Sequence, residues 1–236
     1  MKDAPRRLVG PIAVAAALAW TATSPAATHR GGSDRCVSPH SRTIASSSGA
    51  RVFIKTQPRA TAGRYYGCLR RTGRKTVLNQ GSAQEFAYTL QRVRLAGDLL
   101  AYELSRFREG GSSTQPDRTI VVRDLSTGRQ IRRVAAAVTR GAAFAEPVEG
   151  DGVRDLVLTS EGDLAWIVQN PFAIAPPEPN VNTSSRSTEV YVAPRTTAPH
   201  LVDQGDGINQ TSLTRERCTA SWTNARSRRT ARVCPL

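Results

Sequence analysis

The feature that most restricts the fold of this chain is a recurring set of short apolar segments separated by turn residues. One unit reads RVRLAGDLLAYEL over 92–104 and then RTIVVRDLSTGRQIRRV over 118–134. A later unit reads VRDLVLTSEGDLAWIVQ over 153–169 and then TEVYVAPRTTAPHLV over 188–202. In both, a strand meets a Gly-Asp turn, a more apolar strand follows, and a third and fourth strand come after a loop. The repetition predicts an all-β chain of four-stranded antiparallel meanders.

Weaker copies of this unit flank the two clear ones. One covers 43–78, and its Thr-Gly-Arg turn at 72–74 matches the turn at 127–129. The other covers 212–233 and keeps only three strands. The chain therefore holds about four units. A single stretch, 131–145, is compatible with a helix, and it is equally compatible with a strand followed by a loop.

The second strand of each clear unit is apolar on both faces. Alternation places Leu100, Tyr102 and Leu104 on one face and Ala101 on the other, and the strand over 164–168 has the same property. A strand that is apolar on both faces is buried between two layers. We therefore expect each sheet to pack between two neighbouring sheets.

Two segments carry a resemblance to a known family. The segments TSEGDLAW at 159–166 and IVVRDLSTG at 120–128 resemble the WD40-like, TolB-type β-propeller repeat of exported bacterial proteins. The resemblance implies a β-propeller-like array of four-stranded blades, and its motif specifies a blade without any catalytic residue. Such propellers usually have six or more blades. With about four units, the resemblance implies a small closed ring, an incomplete propeller or an assembled one.

The N-terminus has the pattern of an export signal. Lys2 and two arginines precede an apolar run over 8–22, and small residues at 24–26 form a cleavage site. The run has 15 residues, whereas a membrane-spanning helix needs about 20, so a retained anchor is the weaker alternative. We predict a protein that is secreted, periplasmic or associated with the cell wall. The predicted parts are a signal peptide over 1–26, a flexible linker over 27–39 and a β-propeller-like domain over 40–236.

The cysteines agree with export. All four lie after the signal peptide, at Cys36, Cys68, Cys218 and Cys234, and an even number in an exported chain indicates disulfides. Cys218 and Cys234 are symmetric about a hairpin turn near 226, so we predict that they pair, which leaves Cys36 to pair with Cys68. Cross-pairing and free thiols are the alternatives, because spacing alone does not determine connectivity.

The charge balance is strongly basic. The chain has 33 Lys and Arg residues against 19 Asp and Glu, and only three of the basic residues are lysines. Such lopsided use of Arg is typical of GC-rich coding. A basic surface attracts polyanions, but the arginines are scattered and no aromatic side chains interleave with them as stacking platforms. The sequence favours a solvated basic surface without specific nucleic-acid recognition.

Motifs for catalysis and for cofactors are absent from the sequence. It contains no G-x-S-x-G, H-E-x-x-H or P-loop motif, and no cysteine or histidine spacing typical of a metal site. His200 and Asp203 lack a nucleophile on a suitable turn, and the segment 203–209 lacks oxygen side chains at alternate positions for calcium. We expect a protein that is not an enzyme and that uses neither a cofactor nor a metal, with a hydrolase as a remote alternative.

Topology predicts where a partner binds. In a meander the connections between second and third strands emerge at one end, and the longest are 105–117 and 170–187. The candidate binding residues in them are Arg106, Phe107, Arg108 and Phe172. We expect an interaction protein that binds another protein or a cell-envelope polymer there, with a polyanion-binding module driven by surface Arg as the alternative. The sequence leaves the partner and the oligomeric state open.

Overall fold

Every element of regular secondary structure among the residues that the computed structural model describes is a β-strand. The structure describes residues 34–56, 63–78, 86–108, 117–136, 152–170 and 187–235. The ambiguous stretch after Ile131 begins in a strand and not in a helix, and no described segment forms a helix long and apolar enough to cross a membrane. The predicted signal peptide over 1–26 and the linker up to residue 33 lie outside the described residues, and Asp34–Leu236 forms one compact unit.

The first two sheets each contain four strands in the order of the chain, all pairs antiparallel. The first sheet comprises β1 (Ser41–Ser46), β2 (Ala50–Lys55), β3 (Arg64–Leu69) and β4 (Lys75–Val77). The second sheet comprises β5 (Phe86–Ala96), β6 (Leu99–Arg108), β7 (Asp117–Asp124) and β8 (Gln130–Ala135).

The third sheet repeats this pattern, and the fourth sheet repeats it with one strand fewer. The third sheet comprises β9 (Gly152–Leu158), β10 (Leu164–Asn170), β11 (Ser187–Ala193) and β12 (His200–Gln204). The fourth sheet comprises β13 (Thr214–Glu216), β14 (Thr219–Asn224) and β15 (Ser227–Arg232). The predicted all-β class and the four meanders, the last with three strands, are confirmed.

Irregularities of the backbone recur in the same strand pair of the first three sheets. The pairing of first and second strand contains one register shift in each: at Ile44, between Gln91 and Arg94, and at Arg154. A bulge bends its strand and increases the local twist. The first three sheets therefore share an irregularity in the same strand pair, at a position that differs by one or two residue pairs from sheet to sheet.

The Thr-Gly-Arg turns also match in detail. Gly73 and Gly128 have φ values of 72° and 77°, in the left-handed region that glycine enters without a steric penalty. Each donates its N–H over 2.7 Å to the carbonyl oxygen four residues earlier, on Leu69 and Asp124 respectively. The weak sequence match between the first and second units therefore corresponds to the same turn.

Three apolar clusters hold consecutive sheets together, and the second strands contribute to both sides. Leu100 belongs to the cluster shared with the first sheet, whereas Ala101 on the same strand belongs to the cluster shared with the third. Trp166 faces the second sheet, and Ile167 faces Trp222 of the fourth sheet. All five side chains are buried, which confirms the predicted burial of the two-faced strands.

The first strands of the units also lie side by side. β5 contacts both β1 and β9, and the Arg94 guanidinium of β5 donates to the Leu156 carbonyl at 2.8 Å and pairs with Asp155 at 3.0 Å. Asp155 in turn accepts the backbone N–H of Leu213 at 3.2 Å. Polar contacts therefore connect three units in sequence. Among the described residues, no apolar cluster joins the first sheet to the fourth.

Both predicted disulfides form. Cys36–Cys68 closes a sequence separation of 32 residues and is buried beside Phe53 on the outer face of the first sheet. Cys218–Cys234 closes a separation of 16 and joins the turn before β14 to the chain after β15. Two disulfides in one chain are typical of proteins in an oxidising compartment.

Candidate functional site

Three of the binding residues predicted from the sequence lie in a strand, and the fourth lies outside the described residues. Arg106, Phe107 and Arg108 form the last residues of β6 and pair with β5, and Arg106 also pairs with Asp117 of β7. The connection that follows begins after residue 108 and not at residue 105. Phe172 lies outside the described residues.

The strand ends place the long connections on one side of the described sheets. Gly162 at the β9–β10 turn lies near Leu99, the first residue of β6, so the tight turns of the second and third sheets are neighbours. Arg71 and Asp98 form an ion pair between the tight turns of the first and second sheets at 2.6 Å. Since the tight turns share one end, the β6–β7 and β10–β11 connections begin and finish at the opposite end.

Arginine side chains form hydrogen bonds between neighbouring sheets at the tight-turn end. Arg74 of the first sheet donates to the carbonyl oxygens of Ser126 and Thr127 in the second. Arg132 of the second sheet donates to the Ala193 carbonyl at 2.9 Å and to the Pro194 carbonyl at 2.6 Å in the third. These charged donors satisfy carbonyls that strand pairing leaves free. The tight-turn end is therefore held by the protein's own groups.

One surface cavity lies at this end between the second and third sheets. Burial tends to raise the pKa of its Asp124 carboxyl, but hydrogen bonds from Ser126 and Thr127 outweigh burial and hold that pKa below its ordinary value. The carboxylate therefore accepts hydrogen bonds from residues of its own turn. The cavity has a volume of about 380 Å³ and is lined by Asp124, Thr127, Arg129, Gln130, Ile131 and Arg195.

The side chains once considered for a hydrolytic site have structural roles or lie apart. His200 begins β12, as the sequence predicted for a strand residue. The Asp203 carboxylate accepts the indole N–H of Trp222 at 2.6 Å and the side-chain amide of Asn224 at 3.1 Å. Within the described ranges, no three His, Cys, Asp or Glu side chains come together where they could hold a metal ion.

A buried carboxylate that the sequence analysis missed lies between the second and third sheets. Glu103 of β6 is 0% exposed. Its Oε1 accepts the Val153 N–H at 3.3 Å and lies 3.5 Å from the Arg118 guanidinium, whereas Oε2 has no hydrogen-bond partner among the described residues. Burial raises the pKa of Glu103, although the Val153 N–H and the Arg118 charge oppose the shift.

The fourth sheet carries the densest group of exposed charges. Residues 214–232 contain six arginines and a single acidic residue, Glu216. All six arginines are exposed. We call them the fourth-sheet arginines; they are Arg215, Arg217, Arg226, Arg228, Arg229 and Arg232.

The outward face of this sheet is polar throughout. Trp222 and Ala220 of β14 point toward the third sheet and are buried there. Alternation therefore turns Ser221 to the opposite face, together with Arg228 and Thr230 on β15; Ser221 is itself only 3% exposed, whereas Arg228 and Thr230 are exposed. Arg228 donates to the Ser221 hydroxyl at 3.1 Å. A face of hydroxyls and guanidinium groups suits solvent or an anionic partner and not another apolar sheet.

The concentration of arginine was visible in the sequence but was interpreted as scatter. The signal is the spacing: the last arginines fall within one short three-stranded unit, whereas those of the second and third units are interspersed with acidic residues. What the sequence did not reveal is that, among the described residues, Arg228 and Arg232 have no carboxylate within ion-pair distance.

Comparison with known proteins does not assign this chain to a family. The sequence matches no protein-family model, and no curated protein is significantly similar to it. The resemblance of 159–166 and 120–128 to a propeller repeat therefore stays a prediction.

Proposed function

We propose that this protein is a non-enzymatic interaction protein that works outside the cytoplasm and binds an acidic partner, a protein or a cell-envelope polymer. The observation that carries the proposal is the group of fourth-sheet arginines, six exposed cations with one acidic residue in the same sheet. Closely spaced guanidinium groups raise the local concentration of anions and bind carboxylates or phosphates with paired N–H donors.

The bonding of the outward arginines supports this role. Arg228 donates to Ser221 and Arg232 to the carbonyl of Pro235 at 3.3 Å, both neutral acceptors. Among the described residues, neither guanidinium has a carboxylate within ion-pair distance. A guanidinium has five N–H donors, so most remain available to a partner. By contrast, Arg94 and Arg118 of the second sheet are paired with buried carboxylates.

The proposal includes export and a propeller-like array. Two disulfides support an oxidising compartment, and the basic, apolar N-terminus supports secretion or retention at the cell envelope. Recurring bulges, neighbouring first strands and apolar clusters between consecutive sheets support blades arranged as in a propeller. In this arrangement the fourth sheet packs on the third through one face and offers its outer face to the partner.

A salt titration with a simple polyanion tests the proposal. Wild type is expected to bind fluorescein-labelled polyglutamate at low ionic strength, with an affinity that falls steeply as salt is added. The double variant R228Q/R232Q is expected to lose about tenfold in affinity, and its log–log salt slope should be smaller by about 2. The matched control R42Q/R64Q removes two exposed arginines of the first sheet and should bind nearly as wild type does. Equal losses in both double variants would contradict a site on the fourth sheet.

A second candidate is protein recognition at the end where the long connections lie. The favouring observation is that hydrogen bonds between sheets, such as those of Arg132, already occupy the tight-turn end. Long connections on a rigid scaffold often carry the binding residues of a protein. The test is a pull-down from the source organism's envelope with protein beginning at residue 27. A partner that F107A/F172A loses, and that resists added salt, would support this candidate over the fourth sheet.

A further inference from the structure

The fourth sheet is one strand short of the other three. In the first three sheets a fourth strand pairs antiparallel with the third: β4 with β3, β8 with β7, and β12 with β11. In the fourth sheet, β15 occupies the position of the third strand and, within the described part of the chain, pairs with β14 alone. Its other edge is where the missing fourth strand would lie.

The register identifies which backbone groups line that edge. β14 and β15 are joined by a two-residue turn, and Asn224 is opposite Ser227, so that closing pair exchanges hydrogen bonds. From this closing pair onward, hydrogen-bonded and non-hydrogen-bonded pairs alternate along the two strands. Every second residue of β15 therefore directs its N–H and carbonyl groups toward β14, and the residues between them direct theirs to the opposite edge. The N–H of Val233 bonds the Cys218 carbonyl at 2.8 Å, which confirms this phase at the far end.

The backbone groups that turn away from β14 therefore belong to Arg228, Thr230 and Arg232. The same three residues point their side chains to the outward face. Each presents an N–H donor and a carbonyl acceptor at an edge with no partner strand in the described ranges. Such a row of groups is a template for an added strand.

The positive charges of Arg228 and Arg232 determine which kind of strand can pair with this edge. If a second copy paired antiparallel through β15 about Thr230, Arg228 would lie opposite Arg232 twice, and like charges directly opposite destabilise a pair. The chain's own segment 27–33 contains an arginine and no acidic residue, so it gains nothing from these charges either. An extended segment with acidic side chains gains both the backbone bonds and the ion pairs.

We propose that the open edge of β15 takes up an extended acidic segment of another protein as the fourth strand of the fourth sheet. This inference rests on the proposed binding of an acidic partner, and it names that partner as a protein. Arg228 and Arg232 are four residues apart, about 13 Å along a strand. The matching segment carries acidic residues four positions apart, with a β-branched or hydroxyl residue midway, opposite Thr230.

The probe is a labelled, end-capped peptide of valine and threonine with glutamate at its second and sixth positions. Anisotropy at low salt should show saturable binding to wild type, and a peptide with lysine at those two positions should not bind. Thr230→Pro removes an N–H that faces the edge without removing a bond to β14, and proline is tolerated at such positions. T230P should lose at least about tenfold in affinity, whereas T230A, which keeps the N–H, should stay within about twofold of wild type.

A second measurement leaves the protein unchanged. The same glutamate peptide, N-methylated at the residues that face the edge, keeps its charge but cannot donate to β15, and it should bind wild type at least about tenfold more weakly. Hydrogen exchange should slow at the amides of Arg228, Thr230 and Arg232 when the unmodified peptide is added. This measurement decides the matter even if T230P does not fold.

The outcomes separate the inference from the function on which it rests. If T230P and the N-methylated peptide bind as tightly as their controls while polyglutamate still binds, strand addition is wrong and the anion-binding surface stands. If neither polyglutamate nor the peptide binds wild type, both are wrong. If T230P changes the oligomeric state without peptide while T230A does not, the edge is already occupied by a second copy, and the inference fails.

Discussion

Glu103 shows how one residue reports the packing of two sheets. Its carboxylate lies against the backbone of Gly152. The φ of this residue is 122°, a conformation that glycine adopts readily and residues with a Cβ rarely do. A Cβ at position 152 would overlap both the Arg118 guanidinium and the Glu103 carboxylate. The close approach of β9 to this ion pair therefore depends on glycine. Such a buried ion pair adds little net stability, because the cost of desolvating the two groups offsets their attraction.

The first prediction concerns the pH dependence that Glu103 introduces. Because burial raises its pKa in the folded protein, the folded state binds more protons than the unfolded chain between the two pKa values, and stability falls as pH rises through that window. Glu103→Gln removes the titration and keeps an oxygen for the Val153 N–H. The melting temperature of E103Q relative to wild type is expected to rise by a few degrees between mildly acidic and neutral pH.

The control for this experiment is the exposed Glu216 of β13. E216Q should differ from wild type by a nearly constant amount over the same pH range. Differential scanning fluorimetry at matched ionic strength measures both differences. A difference between E103Q and wild type that does not change with pH would show that Glu103 titrates as an ordinary carboxyl.

At the scale of the element, the disulfides fasten the two terminal units. Cys36–Cys68 attaches the chain before β1 to β3, and Cys218–Cys234 closes the last hairpin. The Arg51 side chain strengthens the first attachment, because it donates to the Cys36 carbonyl at 2.8 Å and lies 4.9 Å from the centroid of the Phe53 ring. Both ends of the described array are thus covalently reinforced.

The second prediction compares the two disulfides. The loop closed by Cys36–Cys68 is the longer one, with a separation of 32 residues against 16. In the chain-entropy model, C36S/C68S should lower the free energy of unfolding by roughly 3.5 kcal/mol and C218S/C234S by about 3 kcal/mol. Cys36 and Cys68 are fully buried, so burying serine hydroxyls there adds a further cost. Urea unfolding measures both, and a larger loss in C218S/C234S would contradict the ranking.

At the scale of the whole molecule, the described sheets contact their neighbours in sequence. The second and third sheets are each packed on both faces by an apolar cluster shared with another sheet, whereas the fourth has such a cluster on one face. In an array of this kind, stability is close to a sum of units and of the interfaces between neighbours. The end unit therefore opens at a lower free energy than the middle ones.

The third prediction follows from this order. Hydrogen exchange followed by mass spectrometry should find the slowest amides in β6 and β10, the two-faced second strands, and faster exchange in β14 and β15. The amides of β14 and β15 should exchange more slowly when an acidic partner is bound than in the free protein. Uniform protection over all four sheets would instead mean that the first and fourth sheets close into a ring with no free end.

Local patterns were sufficient for most of the fold. The alternation around Leu100 and Trp166 predicted two-faced burial, the Gly-containing turns predicted the meanders, and the symmetry of Cys218 and Cys234 predicted their pairing; the structure confirms all three. These features depend on residues close together in the chain or on the period of a strand. Local sequence therefore contains the information that they need.

The tertiary structure decided what depends on neighbours far apart in the chain. Glu103 appears in the sequence as an ordinary strand residue, and only the approach of Gly152, 49 positions later, makes it a buried carboxylate. The fourth-sheet arginines were visible, but which of them lack a carboxylate depends on which sheets are adjacent. By itself, the sequence determined the all-β units, their burial and their disulfides, because short-range periodicity encodes them. Long-range packing alone decided the buried charge and the open edge of β15.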